Sequence, residues 1–404
     1  MKTSIDVKYL DHPDIAEADA ILRSCVHCGF CTATCPTYQE LGDERDGPRG
    51  RIYLIKQLLE GGDVSQKSQT HLDRCLTCRS CETTCPSGVR YGRLADIGRG
   101  IMERQLPRTP GQRLLRWLLR RVLPYSGRLR PLLVLGRMAR PLLPTALAAK
   151  VPLAQPARRW PAPRHSRVML ALAGCAQAAA TPNTNAVAAR VLDRLGIGLM
   201  PAPEAGCCGA VSYHLSAHEE GLDFMRRNID AWWPHIQAGA EAIVISASGC
   251  GAMVKEYGDR LAGDPAYADK ARRVSALARD LSEVLENEDL GRLQPAGKGR
   301  KTAVHCPCTL QHALGLSGRV EAILRKAGVE LTPVQDGHLC CGSAGTYSLL
   351  QPELSQRLLS NKLAALTAGN PEQIVTANIG CQLHLASRAP VPVKHWIELL
   401  DPES

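Results

Sequence analysis

Eight of the 17 cysteines fall in two near-identical runs. Cys25, Cys28, Cys31 and Cys35 lie in CVHCGFCTATCP; Cys75, Cys78, Cys81 and Cys85 lie in CLTCRSCETTCP. Both runs follow C-x2-C-x2-C-x3-C-P, the spacing by which bacterial proteins hold cubane [4Fe–4S] clusters. A short, tight loop lets three thiolates converge on three irons of one cube, and the fourth cysteine leaves on a diverging segment closed by proline. In two-cluster proteins that fourth cysteine ligates the other cluster. The spacing therefore assigns Cys25, Cys28, Cys31 and Cys85 to one cube and Cys75, Cys78, Cys81 and Cys35 to the other. Zinc sites usually pair two C-x2-C knuckles, and two four-cysteine runs closed by proline fit that pattern poorly.

The other nine cysteines follow a different design. Cys175, Cys207 and Cys250 correspond to Cys306, Cys340 and Cys381, at offsets of 131, 133 and 131, and Cys208 and Cys341 complete a Cys-Cys-Gly triplet in each copy. VLDRLGIGLMPAPEAGCCGA also lines up with AILRKAGVELTPVQDGHLCCGSAG, so the C-terminal part reads as a duplicated unit. In each unit an apolar strand (VMLALAG; KTAVH) precedes the first cysteine. A helix, a short strand ending at Cys-Cys-Gly, more helix and a last strand (AIVISASG; IVTANIG) ending at the final cysteine follow. Short β-branched runs of this kind suit parallel strands covered on both faces, and open α/β sheets build their sites at the C-terminal ends of strands. The candidate ligands are Cys175, Cys207, Cys208 and Cys250 in one unit and Cys306, Cys340, Cys341 and Cys381 in the other. An iron–sulfur cluster, a redox-active or vestigial thiol site, and zinc all remain open for them. Cys308 has no counterpart in the first unit, where Gln177 stands at the matching position, and reads as a simple buried thiol.

The spacer between the first two runs carries Ile52, Ile55 and Leu58 at helical spacing, with Gly61–Gly62 as a stop, which predicts a helix. Arg49 and Arg51 open it near the cluster loops. A guanidinium there would favour a reduced cluster; two solvated arginines are the plainer alternative. The formal net charge is +10, yet no acidic residue stands between Glu103 and Asp193, while Arg104 to Arg167 holds 15 Lys or Arg. Residues 105–166 are also rich in Pro and Leu and read as a linker with one or two short helices. Within it Leu115, Leu118, Leu119 and Val122 share one helical face, and Arg113, Arg116 and Arg120 another. Such a helix either lies on an anionic membrane or acidic partner, or covers a core with its leucines.

With 404 residues the chain has room for two to four domains. Aromatics make up only 4%, which argues against base-stacking platforms, and no recognition motif for nucleic acid accompanies the basic charge. No apolar run reaches bilayer length, and the first residues lack the apolar core of a secretory signal. Seventeen cysteines then predict metal ligands or redox centres in a reducing cytoplasm rather than disulfides. No G-x-G-x-x-G after a strand, P-loop or H-E-x-x-H is present, so no catalytic substrate site is recognised on this chain.

Several longer strings resemble one family: LRSCVHCGFCTATCPTY, DGPRGRIYLIKQLLEG, LDRCLTCRSCETTCPSGVRYG, NIDAWWP, ASGCGA, VHCPCTLQHA, LCCGSAGTYSL and TANIGCQLHLAS. They are similar to the iron–sulfur subunits of glycolate oxidase (glycolate dehydrogenase). The helical spacer resembles the helical ferredoxin domain of succinate dehydrogenase iron–sulfur subunits. The broader plan is shared with anaerobic glycerol-3-phosphate dehydrogenase and heterodisulfide reductase subunits. The resemblance implies an α+β multi-domain chain. A helical ferredoxin-type domain with two [4Fe–4S] clusters (1–104) is followed by the basic linker (105–166) and by duplicated α/β CCG domains (167–290 and 300–404). It implies that the eight ferredoxin cysteines are ligands and that FAD sits on partner subunits oxidising glycolate to glyoxylate. It also implies that electrons pass from this subunit toward quinone at the cytoplasmic face of the inner membrane, where the chain is peripheral. In heterodisulfide reductases the CCG motif closes with C-x-x-C; here Met253 and His384 occupy the closing positions. That leaves one or two further clusters open, with His384 either an iron ligand or a hydrogen-bonded core histidine.

Overall fold

In the N-terminal region, helices α1 (Ile15–Ser24), α2 (Pro36–Leu41), α3 (Pro48–Leu59), α4 (Gln66–Asp73), α5 (Ser80–Thr83) and α6 (Tyr91–Gln105) surround the two cysteine loops. The architecture comes from a computed structural model that describes residues 1–403 apart from 145–147, 157, 163 and 294–298. The expected spacer helix is α3, which starts on Pro48, where proline's missing N–H is no loss. Ile52, Ile55 and Leu58 pack with Leu22 of α1 and Leu94, Ile97 and Ile101 of α6 in one core. The two cysteine loops have the same backbone. His27 and Gly29 in the first, and Thr77 and Arg79 in the second, all have positive φ. Three of these are not glycine, so the same strained turn is imposed twice, which marks the loops as functional rather than merely connecting.

The basic segment forms α7 (Pro110–Val122) and α8 (Ser126–Ala139). The reading in which α7 covers a core with its leucines is overturned. Leu119 is its sole buried residue, whereas Leu114, Leu115, Trp117 and Leu118 are exposed. Arg116 instead turns inward to Asp73 (3.3 Å) and Arg120 to Glu220 (2.7 Å). Half-buried ion pairs of this kind orient the helix: Arg116 joins Arg108 on Asp73, and Arg120 closes on Glu220, so turning α7 over would give up both contacts.

Each duplicated unit is a parallel sheet flanked by helices. Strands β1 (Arg167–Ala171), β2 (Ile197–Pro201), β3 (Ile243–Ile245) and β4 (Ala278–Asp280) assemble in the order β2-β1-β3-β4. The second unit repeats this with β5 (Thr302–His305), β6 (Gln373–Thr376) and β7 (Val393–His395) in the order β5-β6-β7, and a single parallel bridge from Leu331 to Thr302 stands where β2 would be. The expected strands running up to Cys-Cys-Gly are corrected: β2 stops at Pro201 and its counterpart shrinks to that one bridge. The two units share a core, in which Val187, Val191 and Leu192 of the first pack with Trp396, Ile397 and Leu400 of the second.

His395 ties the units together. From full burial its Nε2 donates to the Ser246 carbonyl (2.8 Å) while Nδ1 accepts from the Ile397 amide (3.3 Å), a pairing that needs neutral imidazole. Burial brings its pKa down to about 4. The unfolded chain binds a proton near pH 6.5 and the folded chain resists until about 4. The stability contributed by His395 is therefore complete above pH 6.5 and disappears as pH falls toward 4. Denaturant unfolding should show the wild type losing about 3 kcal/mol more than His395→Gln across that window. Equal slopes for the two proteins would refute the assignment.

Candidate metal centres

The two loops and the segments after them bring the cysteines together in crossed sets. One cavity is lined by Cys25, Cys28, Cys31 and Cys85, and a second by Cys35, Cys75 and Cys78; Cys81 reaches both. Burial and the neighbouring Cys25 push the Cys31 thiol up to about 11, with Cys85 adding to the rise. Burial likewise raises Cys78 and Cys81 well above the ordinary thiol range, and nearby thiols including Cys35 reinforce this. Thiols packed this closely cannot all ionise unless a cationic core accepts them. The donor set suits iron, with Cys25, Cys28, Cys31 and Cys85 as candidate ligands of one cube and Cys35, Cys75, Cys78 and Cys81 of the other.

The surroundings of the second set are cationic. Arg51 is fully buried, not solvated. Its Nε donates to the His71 carbonyl (2.7 Å), Nη1 to Thr37 Oγ1 (3.0 Å), and Nη2 reaches Asp46 (3.4 Å). Thr37 Oγ1 in turn lies 3.3 Å from Cys35 Sγ. Burial opposes ionisation of Cys75, but Arg51, Arg99 and the Thr77 amide outweigh it and hold that thiol below its usual value. Arg49 stays half-exposed, paired with Glu44 (2.6 Å), and lies against Gly29 of the first loop. A fixed buried charge beside a redox centre favours its reduced state. Arg51→Gln should therefore lower the potential of the neighbouring centre by on the order of tens of millivolts, whereas Arg51→Lys keeps most of it. Redox titration followed by electron paramagnetic resonance measures this, and an unmoved potential in Arg51→Gln would contradict it.

In the first duplicated unit, the thiols make a continuous chain of contacts from Cys175 to Cys207, Cys208 and Cys250. Cys175 and Cys250 sit at the starts of the Cys175–Ala180 and Ser248–Lys255 helices, just beyond β1 and β3. In the second, the corresponding chain is Cys308, Cys340, Cys341 and Cys381. The match of Cys306 with Cys175 is therefore corrected. Cys306 is buried in the apolar core shared by both units, whereas Cys308, expected to be a plain buried thiol, contacts Cys340. The sequence carried a signal, since Cys308 lies 133 residues after Cys175, the same offset as Cys340 from Cys207. Each Cys-Cys pair needs its glycine. Gly209 and Gly342 have φ of 90° and 82°, and a Cβ there would stand 2.6 Å from the Gly221 carbonyl oxygen and 2.5 Å from that of Ser355.

The two histidines of the second unit differ in surroundings. His384 Nε2 lies 3.1 Å from Ser355 Oγ, the hydrogen-bonded core arrangement. His305, which sequence reasoning passed over, stands with Cys341 and Cys381, their ligand atoms all within 4.8 Å of one another.

The ferredoxin-type region touches both units. Asp96 of α6 meets His214 (2.9 Å) and Arg260 (3.1 Å) of the first. Leu76 and Cys78 pack with Cys308, Cys340 and Tyr347 of the second, and the Tyr347 hydroxyl donates to the Arg74 carbonyl (3.0 Å).

Crossed thiol sets in a helical domain, followed by two Cys-Cys-Gly sheets, define an iron–sulfur protein of the ferredoxin-plus-cysteine-rich-domain class. A 4Fe-4S dicluster domain model matches residues 21–89, and a cysteine-rich domain model matches 169–255 and again 302–386. The glycolate oxidase iron–sulfur subunit of Escherichia coli (strain K12) is 60% identical over 403 residues, covering 99% of this chain and 98% of that relative. The probable glycolate oxidase iron–sulfur subunit of Bacillus subtilis (strain 168) is 30% identical over 90% of this chain and 88% of its own. Lactate utilization protein A of Bacillus licheniformis is 28% identical over 54% of this chain and 92% of its own. The chain belongs to the family of glycolate oxidase iron–sulfur subunits.

Proposed function

We propose that this chain carries electrons for a flavin-dependent glycolate dehydrogenase, holding two [4Fe–4S] clusters on the crossed sets Cys25/Cys28/Cys31/Cys85 and Cys35/Cys75/Cys78/Cys81. FAD on a partner subunit oxidises glycolate to glyoxylate, and this chain takes the electrons singly and passes them toward quinone. Bound iron–sulfur cubes supply one-electron storage, which a flavin can feed in two successive steps. The protein's own contribution is positional. The loops fix thiolates in crossed pairs, Cys81 borders both cavities so that the two centres are neighbours, and Arg51 and Arg99 set the charge around the second.

The observation carrying this reading is the crossed convergence of the two cysteine runs on two cavities. No helix among the described residues is long and apolar enough to cross a membrane. We place the chain peripherally on the cytoplasmic face of the inner membrane, with α7 and α8 toward the lipid. Anaerobic purification with iron and labile-sulfide quantitation should return at least about eight irons per chain, with paramagnetic signals of two interacting cubes on reduction. A colourless, zinc-loaded protein from strictly anaerobic cells would refute the reading.

A further inference from the structure

Two features of the second duplicated unit have no counterpart in the first. One is His305, at the end of β5, with 1% of its surface exposed. Neither ring nitrogen has a hydrogen-bond partner among the described residues, although a buried imidazole left unpaired in this way is unfavourable. Counting three residues back from Cys308 gives His305, and three back from Cys175 gives Leu172, so the first unit puts an apolar side chain at this place.

The other is Lys362, which is fully buried. Its Nζ donates only to the backbone carbonyls of Gly337 (3.0 Å) and Asp336 (3.4 Å), and among the described residues no carboxylate pairs with it. Burial holds its pKa below the usual lysine value, the nearby thiols Cys308, Cys341, Cys340 and Cys306 act the other way, and the His305 imidazole faces it as well. The carbonyl packed on Gly342 belongs to Ser355, and the one packed on Gly209 belongs to Gly221, which aligns the two helices. Seven residues further along each, Lys362 falls opposite Asn228. In the first unit Asn228 satisfies itself with the Gly206 amide, the Cys207 carbonyl and the Tyr257 hydroxyl, all neutral groups. A buried ammonium without a carboxylate calls for another anion nearby.

We propose that the second unit holds an iron–sulfur centre on Cys308, Cys340, Cys341 and Cys381 with the His305 imidazole as a further ligand and Lys362 as its counter-charge. Imidazole can take the place of thiolate on iron, and here it reaches Cys341 and Cys381 from β5, while His384, at the position where a fifth thiolate would close the motif, is bonded to Ser355 instead. The Gly342 amide at 3.4 Å from Cys340 Sγ and the Asn378 amide at 3.6 Å from Cys381 Sγ supply the outer hydrogen bonds such ligands need. The centre rests on the electron-carrier reading above, because Cys78 of the second cubane set shares an apolar cluster with Cys308 and Cys340. A single electron leaving that cubane oxidises it by one and reduces the centre by one, with no bond made or broken.

The test uses the full chain, purified anaerobically from cells fed ordinary or heavy-nitrogen histidine, reduced with dithionite and examined by pulsed electron paramagnetic resonance. The expected result is iron clearly above about eight per chain, with a signal beyond the two cubes whose nitrogen hyperfine coupling changes with the isotope. That coupling should vanish in His305→Leu and survive in His384→Ala. His305→Cys should retain the extra iron while losing the coupling, which separates ligation from folding. Extra iron with no isotope-sensitive coupling in the wild type overturns the role of His305. A count of about eight irons with only the two cubane signals overturns the third centre but leaves the electron-carrier reading standing. Absence of iron altogether removes both.

Discussion

Replacing Cys28 by Ser, or Cys78 by Ser, should abolish electron flow from glycolate to quinone while the flavin partner still reduces an artificial dye. Each substitution removes one thiolate of a crossed set. Cys28 lines only the first cavity and Cys78 only the second, so each variant empties a different cube. Under the proposed function, the border at Cys81 shared by both cavities makes the two cubes consecutive, so losing either would interrupt the relay. Quinone reduction by the assembled complex should therefore fall at least about a hundredfold, since each proposed cube is a required stop on the way to quinone. Iron analysis should show a drop of about four irons per chain. If the double variant Cys28→Ser with Cys78→Ser supports quinone reduction at the wild-type rate, the electrons travel elsewhere and the proposed function falls. Cys306→Ser provides the contrast: this thiol belongs to the apolar core and should leave both cubes intact.

The two cysteine loops were legible because their geometry is local. Three thiolates within seven residues can only form a loop, and the second loop repeats the same left-handed turns at Thr77 and Arg79 that His27 and Gly29 make in the first. Strand order was legible only in part. The runs that became β1, β3, β5 and β6 announced themselves by β-branched residues, but β4 and β7 are three-residue segments whose pairing depends on neighbours already in place. Spacing alone left Cys306 and Cys308 balanced, because the offset of Cys306 from Cys175 matches that of Cys381 from Cys250 and the offset of Cys308 matches that of Cys340 from Cys207. Both flank Pro307 and both are largely buried; what separates them is where β5 ends, since the chain turns after His305 and delivers Cys308 rather than Cys306 to Cys340. His305 itself looked like the polar end of an apolar strand, and only the tertiary fold sets it against Cys341 and Cys381.

The outward face of α7 and α8 should bind anionic lipid. Periodicity in this segment shows two faces but not which one turns inward. That choice belongs to Asp73 and Glu220, distant in sequence, which capture Arg116 and Arg120 and force the leucines out. Leu114, Leu115, Trp117 and Leu118 are between 41% and 57% exposed, and Leu132, Leu135 and Met138 continue the apolar surface onto α8. Arg113 and Arg121 stay exposed and, among the described residues, without carboxylate partners, in a stretch with no acidic residue from Arg104 to Leu192. Apolar side chains flanked by unpaired arginines fit an interface of acyl chains and anionic headgroups. Burying the exposed halves of Trp117 and Leu118 is worth about 2–3 kcal/mol together, so Trp117→Gln with Leu118→Gln should weaken vesicle binding by roughly 30- to 140-fold. Arg113→Gln with Arg121→Gln should cost less, about 1 kcal/mol per arginine, and only on vesicles containing anionic lipid, with the wild-type difference fading as salt rises. Arg116→Gln and Arg120→Gln act differently: they break the contacts that hold α7 to the protein and should lower the melting temperature. Co-sedimentation with vesicles separates these outcomes, and a Trp117→Gln, Leu118→Gln protein that sediments as well as the wild type would show that this face meets something other than lipid.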